Sequence, residues 1–263
     1  HAFECERWKT GCGKCPRLRK ETKSLFFDST HLSWKKMQKA FEGFENNLKI
    51  ISVSPWLMNR AKQSPFFAKN DHSVIFNGVD TDVFCVRQDE QVRQKHKLGN
   101  EKIIFHATPF FSNSPDHIKG GYNVLRLAEL MQGENVKFFV AGEYDSSLEV
   151  PSNVVLLGKI TDQNLLARYY SAADVTLLTS KKETFSMICA ESFCCGTPVV
   201  GFKAGAPEQI SIEKYSAFVE QGNVEGLRKE VERFLDAQLE KSEISREALG
   251  LYSKKKIAQE YLN

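Results

Sequence analysis

TSKKETFSMICAESFCCGTPVVGF, residues 179–202, is the stretch on which the fold prediction rests. A helix is predicted over residues 185–195, and Gly196 follows where a left-handed C-cap would end it. Short apolar runs lie on both sides, residues 175–178 before the helix and residues 199–202 after it. This order predicts a strand–helix–strand crossover in a buried parallel sheet.

Two carboxylates of this stretch, Glu183 and Glu191, are eight positions apart. Glu183 would follow the first strand at the carboxyl edge of the sheet. Glu191 would lie roughly 12 Å further along the helix, at 1.5 Å per residue. With Thr184 as the N-cap, the helix start would attract an anion, phosphate in particular, through the free backbone N–H groups of Phe185, Ser186 and Met187.

The pattern Glu183-x7-Glu191, with Phe-Ser inside it and Gly-Thr-Pro-Val-Val after it, resembles the donor-site motif of retaining GT-B glycosyltransferases of the group 1 type (family 4). The resemblance implies that Glu183 contacts hydroxyls of the donor sugar and that Glu191 contacts the ribose diol. The spacing matches the distance between sugar and ribose in an extended nucleotide sugar. A solvated helix with two surface glutamates is the alternative, which the Gly-Thr-Pro continuation disfavours.

From residue 101 onward, predicted strands and helices alternate, which indicates a doubly wound α/β domain. Strands are expected at residues 102–107, 136–140, 154–157, 174–179, 199–202 and 216–219. Helices are expected after Lys119-Gly120-Gly121, from the cap Asp162 to Ala172, and over residues 224–239 and 245–262.

The resemblance implies a GT-B architecture whose N-terminal part is incomplete. Residues 1–84 would be a remnant of the acceptor-side domain, because only two strands are predicted there, around residues 48–54 and 72–76, with helices over residues 31–47 and 55–64. Residues 85–242 would form a complete Rossmann-like nucleotide-sugar domain. Residues 243–263 would form a helix that packs back toward the N-terminal part. We therefore expect a shortened form of a normal enzyme.

Three further residues would complete the donor site at the carboxyl ends of the strands. The resemblance implies that Lys119 faces the donor diphosphate as a compact positive charge. Gly142 resembles the glycine that lets the backbone approach the nucleotide, and Ile160 lies in the segment against which the base packs. Family members usually pair the lysine with an arginine a few residues earlier, but residues 108–118 contain no Arg or Lys. This departure weakens the expected diphosphate clamp.

The segment HAFECERWKTGCGKCPRL, residues 1–18, carries a cysteine pattern with the spacing of a zinc knuckle. Cys5, Cys12 and Cys15 would supply three ligands of a structural zinc, with His1 as the nearest fourth. A redox pair or unconnected reduced thiols remain open as alternatives. The segment also resembles one in glycosyltransferases of colanic-acid and capsular polysaccharide synthesis.

Charge and composition narrow the possible partners. Residues 1–62 contain 13 Lys and Arg against six acids, a local net charge of +7. A basic face of this kind could meet an anionic membrane or a lipid-diphosphate acceptor, and an ordinary solvated surface is the alternative. No basic motif with interleaved aromatic residues is present, which argues against nucleic acid. Seven cysteines, partly in core-like runs, favour the reducing cytoplasm. The basic face would allow peripheral contact there with the inner face of the membrane.

The resemblance implies transfer of a hexose from UDP- or GDP-hexose to a glycan or polyprenyl-diphosphate-linked acceptor, in surface polysaccharide synthesis and with retention of configuration. No catalytic metal is expected. Asp80-Thr81-Asp82 matches the Asp-x-Asp metal motif of another glycosyltransferase class, but its position after Asn-Gly-Val fits the interdomain linker better. The alternatives are a non-catalytic nucleotide-sugar-binding or zinc-stabilised interaction module, and a nucleotide-sugar epimerase of the same fold.

Overall fold

A computed structural model describes residues 5–16, 18, 27–44, 47–88 and 90–262. The chain divides into two compact units, residues 1–75 and residues 76–263. His1, the predicted fourth zinc ligand, lies outside the described residues. The assignment of the first unit to acceptor binding and of the second to donor binding stays a prediction.

The first unit contains the two strands that the sequence predicts. Its elements are α1 (Thr30–Phe41), β1 (Lys49–Ser52), α2 (Pro55–Ala61) and β2 (Asp71–Val74). The strands pair in parallel, so α2 is a crossover, and the Ser54 hydroxyl caps it by accepting from the Leu57 N–H. Aromatic rings hold this unit together, with contacts among Trp34, Phe41, Phe66 and Phe67.

The second unit is built around a six-stranded sheet in which all pairings are parallel. Its strands are β3 (Lys102–Phe111), β4 (Val136–Tyr144), β5 (Val154–Gly158), β6 (Val175–Leu178), β7 (Val199–Phe202) and β8 (Ser216–Val219). Its helices are α3 (Gln91–Lys95), α4 (Gly121–Leu130), α5 (Gln163–Ala172), α6 (Met187–Cys194), α7 (Pro207–Ile210), α8 (Val224–Asp236), α9 (Lys241–Tyr252) and α10 (Lys254–Leu262). The predicted doubly wound α/β fold is confirmed.

The strand order fixes the position of the site. The sheet runs β5-β4-β3-β6-β7-β8, so the chain builds outward from β3 in one direction and from β6 in the other. Neighbouring connections therefore leave the sheet on opposite faces between β3 and β6. The resulting crevice at the carboxyl ends of these two strands is where open α/β sheets bind ligands.

The burial of both faces of the central strands β6 and β7 explains why their sequences are continuous apolar runs. Every residue of β6 and of β7 is buried. Helices cover both faces of the sheet, and Val231 and Phe234 of α8 pack into the same core as Leu177 and Val200. A strand covered on both faces has no polar side, so its sequence does not alternate.

β3 and α8 end at residues other than those predicted. β3 continues to Phe111 rather than ending at Ala107, with a register shift against β4 between Ala107 and Phe110. α8 ends at Asp236, because Ala237 is extended.

In the part of the chain that the structure describes, no helix combines the length and apolar character needed to cross a membrane.

The predicted C-terminal helix is two helices. α9 ends at Tyr252 and α10 begins at Lys254, with Ser253 extended between them. Val79 inserts at this break, where its N–H donates to the Tyr252 carbonyl and its carbonyl accepts from the Lys254 N–H, at 2.7 and 3.1 Å. These backbone bonds replace helical ones, so the helix is interrupted by a segment far away in sequence.

Candidate functional site

A cavity of about 680 Å³ opens at the crevice between β3 and β6. All of its lining residues belong to the second unit. The lining includes every residue predicted for the donor site: Lys119, Gly142, Ile160, Glu183, Phe185, Ser186, Met187 and Glu191. The fold thus gathers around one cavity residues that are up to 72 positions apart, although their individual roles stay predictions.

The loop that carries Lys119 is tied to the end of β6. The Thr179 hydroxyl donates to the Lys119 carbonyl at 3.1 Å, and the Lys181 N–H donates to the Ile118 carbonyl at 2.8 Å. Gly120, at φ +68°, allows this approach, since a Cβ there would lie 2.0 Å from the Thr179 carbonyl oxygen. The loop is therefore held where the Lys119 ammonium meets the cavity.

Lys119 and Glu183 form an ion pair inside the cavity. The Lys119 Nζ lies 2.8 Å from Glu183 Oε1, and both side chains are largely buried. Backbone bonds fix Glu183 in turn, because its N–H donates to the Ala204 carbonyl and its carbonyl accepts from the Ala206 N–H. The sequence predicted separate contacts for these residues, with diphosphate and with sugar. The structure shows in addition that each is the charge partner of the other.

The helix that carries Glu191 begins later than predicted. α6 starts at Met187, with Ser186 rather than Thr184 as the N-cap, and the Ser186 hydroxyl accepts from the Cys189 N–H at 3.4 Å. Phe185 is buried against Phe76 and Tyr252, at ring distances of 5.6 and 6.3 Å. The backbone of Ser186 is not helical, so the amides of Phe185 and Ser186 lie before the first turn and not within it.

Ser186 has an unusual backbone conformation, with φ +91° and ψ +90°. Non-glycine residues rarely adopt positive φ, and such strain persists where the surrounding structure enforces it. Here the buried Phe185 ring lies on one side and the capped helix start on the other. The strained residue borders the cavity, which is the usual location of strain of this kind.

Glu191 projects from α6 and lines the cavity together with Tyr170 of α5. The Tyr170 hydroxyl donates to Glu191 Oε2 at 3.1 Å. Burial raises the pKa of Glu191 to about 7, although the bond from Tyr170 opposes that rise. Burial also raises the pKa of Tyr170 well above its ordinary value, so this hydroxyl remains a donor. The sequence did not indicate Tyr170, since nothing local to α5 marks it.

The end of the cavity formed by β4 and β5 carries a second ion pair. Lys159 Nζ lies 2.7 Å from Glu143 Oε1, and both side chains are exposed. Gly142 precedes Glu143 and is required by packing, because a Cβ there would lie 2.4 Å from the Thr108 carbonyl oxygen. Lys159 was missed as a candidate site residue, although it is the neighbour of the predicted Ile160. It supplies a second cation to a cavity whose lining contains no arginine among the described residues.

The cysteine segment presents three reduced thiols. Cys5, Cys12 and Cys15 are each partly buried, and burial together with the nearby Cys5, Cys15 and Asp28 side chains raises the pKa of Cys12. Among the described residues, no group of three or more His, Cys, Asp or Glu side chains is placed to hold a metal ion. The zinc assignment, which includes the undescribed His1, stays a prediction.

The Asp-x-Asp alternative has a different explanation in the structure. The Lys254 ammonium lies 2.7 Å from Asp80 Oδ1 and 2.8 Å from Asp82 Oδ2, so one cation bridges both carboxylates. The pKa of Asp80 is lowered, chiefly by its bond from Lys254. Asp80 and Asp82 do not line the 680 Å³ cavity. This pair therefore anchors the start of α10.

Comparison with known proteins gives two kinds of match. Residues 88–256 match the family model described as glycosyl transferases group 1. Two curated relatives are N-acetyl-alpha-D-glucosaminyl L-malate synthase of Bacillus anthracis and the putative colanic acid biosynthesis glycosyl transferase WcaC of Escherichia coli. Their identities to this chain are 24% over 83% of its length and 23% over 98% of it. The chain spans 59% and 62% of these relatives.

A solved structure shares the fold. The crystal structure of Anabaena HepE in complex with UDP-glucose superposes with a TM-score of 0.65 at 20% identity, over 89% of this chain and 66% of HepE. The predicted GT-B type of fold is thus confirmed, since the parallel sheet and its connections match a protein of that architecture.

Proposed function

This chain belongs to the group 1 glycosyl transferases, and from that premise we propose that it transfers a hexose from a nucleotide diphosphate sugar to a glycan or lipid-linked acceptor, with retention of configuration. The observation that carries the proposal is the cavity at the β3–β6 switch point, which is lined by the two motif carboxylates and by Lys119. Its volume of about 680 Å³ suits a ligand of nucleotide-sugar size. UDP-glucose in HepE supports a UDP-sugar as donor, and GDP-sugars remain candidates.

The charges along the cavity suggest a division of roles. The strand order makes β5 and β6 three positions apart in the sheet, which is about 14 Å at 4.8 Å per strand. An extended nucleotide sugar could therefore lie with its sugar at Glu183, its ribose at Glu191 and its base near Ile160. Lys119 would leave Glu183 to neutralise the diphosphate, and the Met187 end of α6 would add partial positive charge.

Catalysis would consist of stabilising a departing phosphate. In the proposed front-face substitution, the sugar–phosphate bond breaks while the acceptor hydroxyl attacks from the same side, and the proton of that hydroxyl passes to the leaving phosphate. Charge develops on the phosphate oxygen, and Lys119, once it has exchanged Glu183 for the diphosphate, would stabilise that charge by about a few kcal/mol. Glu183, freed from Lys119, would orient the sugar through its hydroxyls.

Calorimetric titration of UDP, GDP and their hexose conjugates is the test. Wild type should bind the nucleotides of one base, and Glu191→Ala should weaken that binding by tenfold or more, because it removes the acceptor for the ribose hydroxyls. Glu149→Ala, which changes an exposed glutamate outside the cavity, is the matched control and should bind like wild type. If a folded wild-type protein bound no nucleotide, the donor-site assignment would be wrong.

Two alternatives also predict nucleotide-sugar binding and differ from transfer in the product that they form. A non-catalytic binding module, favoured by the absence of Arg and Lys from residues 108–118, would bind the donor without turnover. A nucleotide-sugar epimerase would change the sugar while leaving it attached to the nucleotide. Product analysis by mass and by sugar identity separates both from transfer to an acceptor.

Two partner proposals concern the first unit. Exposed Leu32 and Met37 of α1 stand among Lys35, Lys36 and Lys39, and such a helix suits an anionic membrane surface near a lipid-linked acceptor. The protein should sediment with anionic vesicles and not with zwitterionic ones, which tests this proposal.

The second proposal for this unit is a structural zinc ion bound by Cys5, Cys12, Cys15 and His1. The test is the zinc content of the purified protein, which should be one equivalent.

A further inference from the structure

We propose that Tyr170 is a positioning residue that holds the Glu191 carboxyl for the donor ribose, and that binding of the ribose diol drives a proton off Glu191. The inference rests on the proposed function, because it requires a nucleotide ribose beside Glu191. It goes further by making donor binding dependent on pH through one residue pair. The juxtaposition that carries it is a tyrosine hydroxyl and a carboxyl group, 3.1 Å apart, at one cavity wall.

Tyr170 is rigidly placed by its surroundings. Its side chain is fully buried, and its ring packs edge-on against Phe105 with centroids 5.0 Å apart and against Phe84 at 6.2 Å. Its carbonyl accepts from the Thr197 hydroxyl at 2.6 Å. A buried, close-packed ring has one orientation, so its hydroxyl defines where Glu191 Oε2 must lie.

The remaining capacity of Glu191 is free to bind a ligand. Within the described part of the chain, Tyr170 is the sole hydrogen-bond partner of the Glu191 carboxyl. A carboxylate can accept about four hydrogen bonds over its two oxygens. With one site on Oε2 taken by Tyr170, Oε1 remains for the two vicinal hydroxyls of a ribose, which are both donors.

Few titratable groups act on the Glu191 carboxyl, because the charged residues of the cavity are joined in the Lys119–Glu183 and Lys159–Glu143 ion pairs. The other titratable groups that interact with it are the Cys194 and Cys195 thiols, whose raised pKa values keep them neutral. β6 and β7, which pack on α6, carry no titratable side chain.

The titratable groups of α9, the other helix packed on α6, have partners elsewhere. Lys241 donates to the Ala173 carbonyl and the Thr197 hydroxyl. Glu243 and Glu247 pair with Lys214, Arg246 lies near Glu243, and the Tyr252 hydroxyl donates to the Ile210 carbonyl. Of the cations on the surrounding elements, Arg168 of α5 and the cavity lysines Lys119 and Lys159 make no contribution to the pKa of Glu191 in the described structure, so burial and the Tyr170 hydroxyl determine its protonation.

Proton release follows from this environment. With a pKa of about 7, the protonated and ionised forms of Glu191 are both populated at neutral pH in the free protein. Two hydroxyl donors from a ribose favour the ionised form, so binding lowers the pKa and expels the proton. If only the carboxylate binds ribose, affinity falls about tenfold between pH 8 and pH 6.

Tyr170→Phe gives a readout that a purely structural role would not produce. Removing the hydroxyl removes the bond that opposes the rise in the pKa of Glu191. The midpoint of donor affinity against pH should then move upward, with weaker binding at pH 7 and recovery toward wild type at pH 9. Tyr169→Phe is the matched control. Tyr169 is also buried, and its hydroxyl is hydrogen-bonded to His96 at 2.8 Å and not to Glu191, so this variant loses a tyrosine hydroxyl without changing the bond to Glu191.

The experiment is a set of calorimetric titrations with UDP and GDP between pH 6 and pH 9. It uses wild type, Tyr170→Phe, Tyr169→Phe and Glu191→Gln. Because Glu191→Gln has no titratable group at position 191, the pH dependence of its nucleotide affinity comes from the nucleotide phosphates. After that dependence is subtracted, wild type should release a measurable fraction of a proton at pH 7, obtained by comparing the heats in phosphate and Tris buffers. The affinity midpoint should move upward in Tyr170→Phe only.

Two results would overturn the inference. Nucleotide binding with the same pH profile in wild type and Glu191→Gln, or equal shifts in both tyrosine variants, would refute it while leaving the proposed donor site intact. No nucleotide binding at any pH by the folded wild type would refute the inference together with the proposed function.

Discussion

Glu191 is an acid held in a largely buried position, and this makes it a source of instability in the free protein. Its pKa rises from 4.5 to about 7 on folding. The unfolded chain loses this proton at lower pH than the native protein does. Unfolding is therefore favoured increasingly as pH rises from about 4.5 to 7, and the destabilisation is complete above pH 7.

Glu191→Gln should stabilise the protein at alkaline pH. Glutamine keeps an acceptor for Tyr170 and carries no charge, so the gain at pH 8 is up to about 3 kcal/mol, from 1.36 kcal/mol per pKa unit. At pH 4 both proteins should have the same stability. Urea unfolding at the two pH values measures this, with the exposed Glu149→Gln as control. A stability difference that did not vary with pH would contradict the burial argument.

The Lys119–Glu183 ion pair is a contact that sequence motifs do not reveal. Each side chain could be assigned to the donor from its motif, but the 64 positions between them in the sequence hid their contact. In the free protein the pair satisfies two largely buried charges, which would be costly if left alone. In the proposed function, a donor would exchange this contact for contacts with its phosphate and sugar, so that binding would replace one set of partners by another.

At the scale of elements, the loop from β3 to α4 is held directly against the end of β6. Gly120 makes it possible, because its missing side chain lets the Thr179 carbonyl approach. The positive φ of +68° would be unfavourable for other residues, but the close approach to Thr179 is the stricter requirement.

Gly120→Ala should displace this loop. A Cβ 2.0 Å from the Thr179 carbonyl oxygen cannot be accommodated without moving backbone, and Lys119 would move with it. We expect a stability loss of about 3 kcal/mol or more and nucleotide affinity reduced at least tenfold. Thermal unfolding and calorimetry measure both.

Gly158→Ala is the matched control for this loop. Gly158 has a similar φ of +73°, but nothing lies within 4 Å of the position that a Cβ would take there. The substitution should cost about 1 kcal/mol from backbone strain alone. Equal losses in the two variants would show that φ, and not the contact with Thr179, determines the role of Gly120.

At the scale of the whole molecule, the second unit contains everything that the proposed donor site needs. The six-stranded sheet, its core and all residues lining the cavity lie within residues 76–263. The C-terminal helices belong to this unit, since Ile244, Ala248 and Tyr252 of α9 are fully buried and α9 packs on α6.

Residues 76–263 expressed alone should fold cooperatively and bind the same nucleotide as the full chain, with affinity within about threefold. A shorter piece, residues 76–240, should fail to fold, because it exposes the buried face that α9 covers. Circular dichroism melting and calorimetry measure the outcome. If the first piece were unfolded, or folded without binding nucleotide, the second unit would not be self-sufficient.

The sequence by itself determined the fold class and eight of the 20 residues that line the cavity. β6, β7, the helix between them and its end at Gly196, with φ +79°, were all predicted, because apolar runs and glycine caps act on their own neighbourhoods. Once strands are parallel, their carboxyl ends meet at one edge. Residues that follow different strands, such as Lys119 and Glu183, were therefore predicted to share a site.

Tertiary structure alone decided the remaining features, since each depends on a partner distant in sequence. α6 starts at Met187, after the non-helical Ser186, where Phe185 packs against Phe76 and Tyr252. The break before α10 follows from Val79. The pKa of Glu191 follows from its burial beside Tyr170, a residue 21 positions earlier that no local pattern singled out. Periodicity records which face of an element is covered, but it does not record which side chain covers it.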